Sequence, residues 1–347
     1  MHLLAGRLKH YDWGSITAIA DLRGIEPSGE PEAELWFDSD ALPYLVKVLA
    51  VQRTLSLQAH PGSEQAGRGF DAEEAAGIPI DQPDRSFVDD RAKPELVCAV
   101  TPFEALCGFR PVEEATEVAA TLGLASELVA VLDDDGTDAW PALVEEALGG
   151  YWDGAVDILV DTCATGVDGP FADVADLVVR LADQHPGDPA LLVVPLLVHH
   201  RLRPGEALYV CPGVLHAYVA GMAVEVMAPG DNVLRGGLTT KHVNATALVE
   251  ALDPVAGSPL VQVPAANTAD LHRYDVPIDD FAVWRLVGTA VDIDERIGPD
   301  LVLSMAATTT VCDLVLRPGQ AALVSESDGP YKIETDGIVY LVNVGAT

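Results

Sequence analysis

The segment Leu55-Ser56-Leu57-Gln58-Ala59-His60-Pro61 alternates apolar and polar residues. Period two is the mark of a strand with one packed face and one polar face. Leu55, Leu57 and Ala59 are expected to face the core, and Ser56, Gln58 and His60 to share the other face. A Gln and a His two residues apart can meet one metal ion from a single rigid strand. On these seven residues alone a buried hydrogen-bonded pair is the plainer reading, because buried polar groups need only partners.

Other β-forming runs surround this one. Residues 33–37 read as a strand, and 43–51 as a strand buried on both faces. Residues 93–100 and 101–111 complete a strand-dense block, with a polar loop expected between the opening strand and about residue 91. Strand texture returns at 203–210, continues past Val226, and resumes from about Val276 as short runs separated by turns. Helical spacing appears at Val112, Ala115, Val118, Ala119 and Leu122, and again at Phe171, Val174, Leu177, Val178 and Leu181. Shorter helices are expected at 16–22 and 246–252, and a Pro/Ala linker near 254–266. Leu202-Arg203-Pro204-Gly205-Glu206-Ala207 is echoed by Leu316-Arg317-Pro318-Gly319-Gln320-Ala321, which suggests two similar antiparallel barrels.

With 347 residues, 49% of them apolar, the chain can fill the cores of two or three domains. The start has no long apolar run or signal-peptide cleavage pattern, and the most apolar segment, 190–198, is too short to span a bilayer. Five cysteines, an odd number without a Cys-x-x-Cys pair, argue against a disulfide framework or thiolate zinc cluster. A cytoplasmic protein is the expectation. The net charge of −34 repels nucleic acid and anionic membranes, so neither is an expected partner. Residues 111–200 hold 18 acids against one base, Arg180, and read as a helical insertion with an acidic outer face. Asp133-Asp134-Asp135 reads as solvated loop rather than a cation site. A surface this acidic suits a salt-rich cytoplasm, where screening lengths fall to about 3 Å at 1 M salt. Equal stability and activity with and without added salt would contradict that expectation.

Two further clusters carry chemistry. In Pro212-Gly213-Val214-Leu215-His216-Ala217-Tyr218 a turn delivers His216 to a strand, with Tyr218 on the same face. With Gln58, His60 and Glu95 this makes four oxygen or nitrogen donors suited to zinc or another divalent ion. The plain alternative is that Glu95 and His216 each satisfy local backbone groups. In the stretch 223–241, Arg235 and Lys241 stand out in a chain with few bases. A planar guanidinium fork and a point charge both suit a phosphorylated sugar, although pairing with Glu225 and Asp231 would also account for them.

Gln58-Ala59-His60, Lys93-Pro94-Glu95, the block 101–111, His216-Ala217-Tyr218 and the block 231–239 together resemble the type I mannose-6-phosphate isomerases, in order and separation. Tyr11-Asp12-Trp13-Gly14 and Ala33-Glu34-Leu35-Trp36 extend the match. The resemblance implies a mainly β chain of cupin-type jelly-roll barrels, two in a bicupin-like arrangement, plus an α-helical domain. Residues 1–110 and 201–255 would form the catalytic barrel, 111–200 the helical insertion, and 256–347 the second barrel. It implies one zinc ion held by Gln58, His60, Glu95 and His216, and interconversion of mannose 6-phosphate and fructose 6-phosphate. Arg235 would be the active-site residue and Lys93 an acid/base, with Glu225 as an alternative base. Trp13, Ser56, Tyr218, Glu225, Asp231 and Lys241 would meet the phosphorylated hexose. The oligomeric state is left open, a monomer included.

The sequence departs from the family in two places. Arg91-Ala92-Lys93-Pro94-Glu95 has Ala92 where the family carries a histidine proposed for ring opening. Glu34-Leu35-Trp36-Phe37-Asp38-Ser39-Asp40 alters a loop near the site. A non-catalytic or weakly active sugar-phosphate-binding cupin is therefore the alternative. An iron-dependent cupin dioxygenase fits less well, since such sites take three ligands from a His-x-His-plus-Glu run.

Overall fold

The computed structural model describes residues 1–133, 139–150, 152, 154–253, 258–266 and 271–345. These form a mainly β chain, with a ten-stranded barrel-like sheet, a nine-stranded sheet and several helices. Among the described residues, no helix is long and apolar enough to cross a membrane.

Alternation along each strand decides what its two faces meet. In the strand Leu45–Val51, Val46, Val48 and Ala50 pack against the second sheet, while Leu49 and Val51 join the cluster inside the first sheet. The strand Glu95–Ala99 divides the same way: Leu96 and Cys98 face the second sheet, and Val97 and Ala99 face inward. By parity, Lys47 and Glu95 also lie on the inward faces.

The long strand His216–Met227 ties the first sheet together. Its second half pairs antiparallel with Leu45–Val51 and Glu95–Ala99, and its first half with Leu57–Ala59 and Phe103–Phe109. The change of partners falls at a register shift between Tyr218 and Ala220, next to Gly221 at φ 111°. A Cβ on Gly221 would lie 2.4 Å from the Pro102 carbonyl oxygen, so the corner needs glycine.

The outward faces of Leu57, Ala59, Leu106, Ala217, Val219 and Leu234 share one core with the helical region. The helix Val112–Leu122 buries Ala115, Val118, Ala119 and Leu122 and ends at Gly123 in the left-handed region. The helix Ala172–Gln184 buries Val174, Leu177, Val178 and Leu181, and Phe171 packs beside its start. Each such buried leucine or phenylalanine contributes roughly 1.5–3 kcal/mol. The helical stretch ends before the strand Leu197–Leu202, which pairs with Phe103–Phe109. At the other end of the chain, His2–Leu4 pairs with Gln320–Val324 in the second sheet.

The two related sequence stretches form related turns. Gly205 (φ 93°) donates its N–H to Ala99 O at 2.8 Å, and Gly319 (φ 75°) donates to Ser304 O at 2.8 Å. Arg203 N donates to Glu206 Oε2 at 2.7 Å, and Arg317 N to Gln320 Oε1 at 2.9 Å.

Several expectations need correction. The opening strand is only Leu57–Ala59, and Leu55 packs with the inward cluster instead of sharing a face with Leu57. Leu55 lies before the strand, held by its N–H on Tyr218 O at 2.9 Å. Much of the expected polar loop is the helix Ser63–Ala75. Its apolar stripe is weak, with Ala66 its only buried residue, and tertiary bonds hold it: Glu73 accepts from Ser86 N at 3.0 Å and Phe87 N at 2.8 Å. The short helices form at Ala18–Arg23 and Ala245–Ala251. Asp133 ends a 3-10 turn, whereas Asp134 and Asp135, like residues 254–257 of the expected linker, lie outside the described residues.

Candidate metal centre and active site

His60, Glu95 and His216 are each no more than 1% exposed, and their donor atoms all lie within 4.8 Å of one another. His60 Nε2 stands 3.2 Å from Glu95 Oε1, and His216 Nε2 stands 3.8 Å from Glu95 Oε2. Both imidazoles are locked from behind. His60 Nδ1 donates to Asn232 O at 2.7 Å, and His216 Nδ1 donates to Val214 O at 2.9 Å. A carbonyl accepts only from a protonated nitrogen, so these bonds leave the Nε2 lone pairs free and aimed at the carboxylate. His60 Nε2 is buried without a hydrogen-bond partner. Two oriented imidazole lone pairs, one of them unpaired, converging on a buried carboxylate fit a zinc ion.

Strand register brings Gln58 beside these three side chains. Gln58 pairs with His216 on one side and with Arg235 on the other. Its Nε2 lies 3.4 Å from His216 Nε2, and its Oε1 accepts from Ser56 Oγ at 3.0 Å. Ser56, Gln58 and His60 therefore do share the polar face expected of them.

The charges are arranged to keep the donors in ligand form. Burial works against the Glu95 carboxylate, but the Lys93 ammonium beside it holds it well below the usual carboxylate range. Lys93 Nζ is 2.9 Å from Glu95 Oε1, and Tyr218 OH donates to Glu95 Oε2 at 3.2 Å. Burial lowers His216 to about 4, so its ring is neutral at pH 7.

Lys47 is a site residue that the sequence reading missed. Burial opposes its charge, but Glu225 at 2.7 Å and Glu34 at 3.2 Å raise its pKa and keep it a cation. Glu34 also accepts from Trp36 Nε1 at 2.6 Å. A lone lysine in Leu45-Val46-Lys47-Val48-Leu49 was the available signal, since a charge in an apolar strand needs a buried partner. Glu225 is thus paired with Lys47 rather than with Arg235 or Lys241, and burial together with Glu95 raises its pKa.

The remaining candidates lie around this centre. Arg235 is half-buried and, among the described residues, no carboxylate forms an ion pair with it; its nearest bond is a 3.5 Å contact from Nη1 to Val233 O. Lys241 is exposed, with Nζ 5.3 Å from the Tyr11 ring centroid, and Tyr11 stacks on Trp13 at 5.7 Å. Asp231 is exposed, and its N–H donates to Asp89 Oδ2 at 2.7 Å. Partial desolvation lowers the pKa of Arg235 and, together with the nearby Arg235 charge, that of Lys241, with Asp231 opposing the effect on each. Trp13 packs against the inward cluster.

A sheet interior with two oriented imidazoles, a carboxylate and an amide around one point, bordered by bases, defines a candidate metal-dependent β-barrel enzyme acting on an anionic substrate. Comparison with known proteins narrows this. A family model for the catalytic domain of type I phosphomannose isomerase matches residues 37–112. The mannose-6-phosphate isomerase of Salmonella typhimurium is 30% identical over 387 residues, covering 97% of this chain and 98% of that protein. That of Escherichia coli K12 is 29% identical over 388 residues, with the same coverage. A crystal structure of mannose 6-phosphate isomerase bound with zinc and yttrium superposes with a TM-score of 0.89, at 27% identity and 99% coverage of both chains. The chain belongs to the type I mannose-6-phosphate isomerase family.

Proposed function

We propose that this chain interconverts mannose 6-phosphate and fructose 6-phosphate, with one zinc ion held by Gln58, His60, Glu95 and His216. The observation that carries the ligand set is the pair of imidazoles fixed through Nδ1 to backbone carbonyls, with both Nε2 atoms facing Glu95. Zinc held there would supply a Lewis acid to stabilise negative charge developing on the sugar oxygens.

The chain's own residues do the rest. Aldose–ketose isomerisation opens the ring and moves a proton between C1 and C2 through a cis-enediol. Arg235, opposite Gln58 and without a carboxylate ion pair among the described residues, is available to assist ring opening and to stabilise the developing oxyanion. Lys93, beside Glu95, is an acid/base for the transferred proton, and Glu225 is the alternative base. Lys241, Ser56 and Trp13 line the approach for the phosphorylated hexose, with Tyr218 and Asp231 bracing it. With Ala92 in place of the family histidine, that ring-opening role is vacant or falls to water or Arg91.

The same reading divides the chain into a zinc barrel from residues 1–110 and 201–255, a helical insertion at 111–200, and a second cupin-like barrel at 256–347. The matched turns at Gly205 and Gly319 support two related barrels. A cytoplasmic location accords with the acidic charge.

Fructose 6-phosphate formation by zinc-loaded and chelated protein tests the activity, and tight hexose-phosphate binding without turnover after zinc reconstitution would overturn it in favour of a binding protein. Arg235→Ala should lose about 10²–10³-fold in kcat while keeping its zinc. Loss of zinc from that variant would mean that Arg235 supports the metal rather than the reaction.

A further inference from the structure

One asparagine joins a metal donor to the loop that carries the rest of the site. Asn232 is completely buried. Its backbone carbonyl is the acceptor for His60 Nδ1 at 2.7 Å. Its side chain is given over to residues 88–91. Oδ1 accepts from Val88 N at 2.8 Å and Asp89 N at 3.3 Å. Nδ2 donates to Asp89 O at 2.8 Å, Asp89 Oδ1 at 3.1 Å and Arg91 O at 3.2 Å.

Residues 88–91 run straight into Ala92-Lys93-Pro94-Glu95. The two segments stay in contact along that path. Asp231 N donates to Asp89 Oδ2 at 2.7 Å, and Ala228 N donates to Pro94 O at 3.2 Å. A Cβ on Gly230 would come within 2.7 Å of Ala92 O, so the backbones touch where the family histidine is missing. Asn232 thus bonds this loop at several atoms, and a truncated side chain there would leave the Val88 N–H and the Arg91 carbonyl without that partner.

We propose that Asn232 is a positioning residue for the metal: its backbone fixes the ring and tautomer of His60, and its side chain fixes the loop that delivers Lys93 and Glu95. Two donors far apart in sequence then keep one separation because a single buried amide holds both. Asn232 is not itself one of the proposed donors. The inference rests on the reading of His60 and Glu95 as ligands.

The test is zinc affinity, measured on the full chain by competition with a chromophoric chelator, together with the melting temperature of the zinc-free protein. Asn232→Ala should weaken zinc about 10- to 100-fold, as loss of a partner behind a ligand does. Asn232→Asp keeps an acceptor for Val88 N but loses the donor facing three oxygens, and should weaken zinc at least as much. His60→Ala should weaken it more than either. Zinc affinity within twofold of wild type in both Asn232 variants, whatever happens to melting, would overturn the clamp while leaving the ligand reading intact. Wild-type affinity in His60→Ala would overturn the ligand reading itself. Should neither Asn232 variant fold, Asp89→Ala removes one anchor of the same loop, and unchanged zinc affinity there would count against the clamp.

Discussion

The turns at Gly205 and Gly319 are built alike, yet the sheets they belong to enclose different things. Inside the second sheet lie Leu286, Val302, Val311, Leu316, Val324, Ile333, Val339 and Leu341, an apolar filling. Its few buried polar groups mostly bond one another: Thr309 bonds Ser304 and Thr335 at 3.1 Å, and Tyr331 donates to Asp300 Oδ2 at 2.7 Å, while Asp300 Oδ1 has no hydrogen-bond partner among the described residues. Inside the first sheet, apolar residues such as Leu49, Val97 and Ala105 share the face with Lys47, Glu95, His216 and Glu225. Burying charges is costly unless they are paired. The first sheet offsets that cost with the Lys47–Glu225 and Lys93–Glu95 ion pairs, and directs what is left toward one point. Similar turns therefore set the strands in both sheets, while inward-facing residues decide which sheet is chemical and which is only scaffold.

Substitutions on the two inward faces should separate along the same line. His216→Ala is expected to have the largest effect, releasing zinc and lowering kcat/KM by at least about 10²–10³-fold; metal analysis beside the isomerase assay would show it. Lys47→Met strands two buried carboxylates and should destabilise the chain by about 3–5 kcal/mol in urea titration. Ile333→Ala in the second sheet should lose a similar or smaller amount, about 2–5 kcal/mol. Unlike the others it should leave zinc content and kcat unchanged, and a fall in either would show that the two interiors are coupled. The smallest effect belongs to the helical side. His199, at 3.1 Å, and Arg180 lower the Glu104 carboxyl to about 2, against an ordinary 4.5. A depressed folded-state value contributes stability above the ordinary value and loses it as pH falls toward 2. The melting difference between wild type and Glu104→Gln should therefore be modest at pH 6 and shrink by pH 3.

Much of the site could be read from the chain. Ser56 bonds Gln58 on the polar side of the short strand Leu57–Ala59, as the two-residue period expects, and the helices at Val112–Leu122 and Ala172–Gln184 follow their apolar spacing. The helix Ser63–Ala75 was not legible, because bonds from Glu73 to a distant loop hold it rather than an apolar stripe. Lys47 lies in a run that reads as a strand buried on both faces, and its partners Glu34 and Glu225 come from other strands.

By itself the sequence determined which residues could serve as donors and which strand faces they occupy, since both follow from residue type and the two-residue period. The tertiary structure decided that Gln58, His60, Glu95 and His216 meet at one place. That depends on the long strand His216–Met227 turning a corner at Gly221, and on backbone carbonyls of Asn232 and Val214 that select each imidazole's free nitrogen. Register between strands and hydrogen bonds across loops are non-local, and no window of sequence contains them.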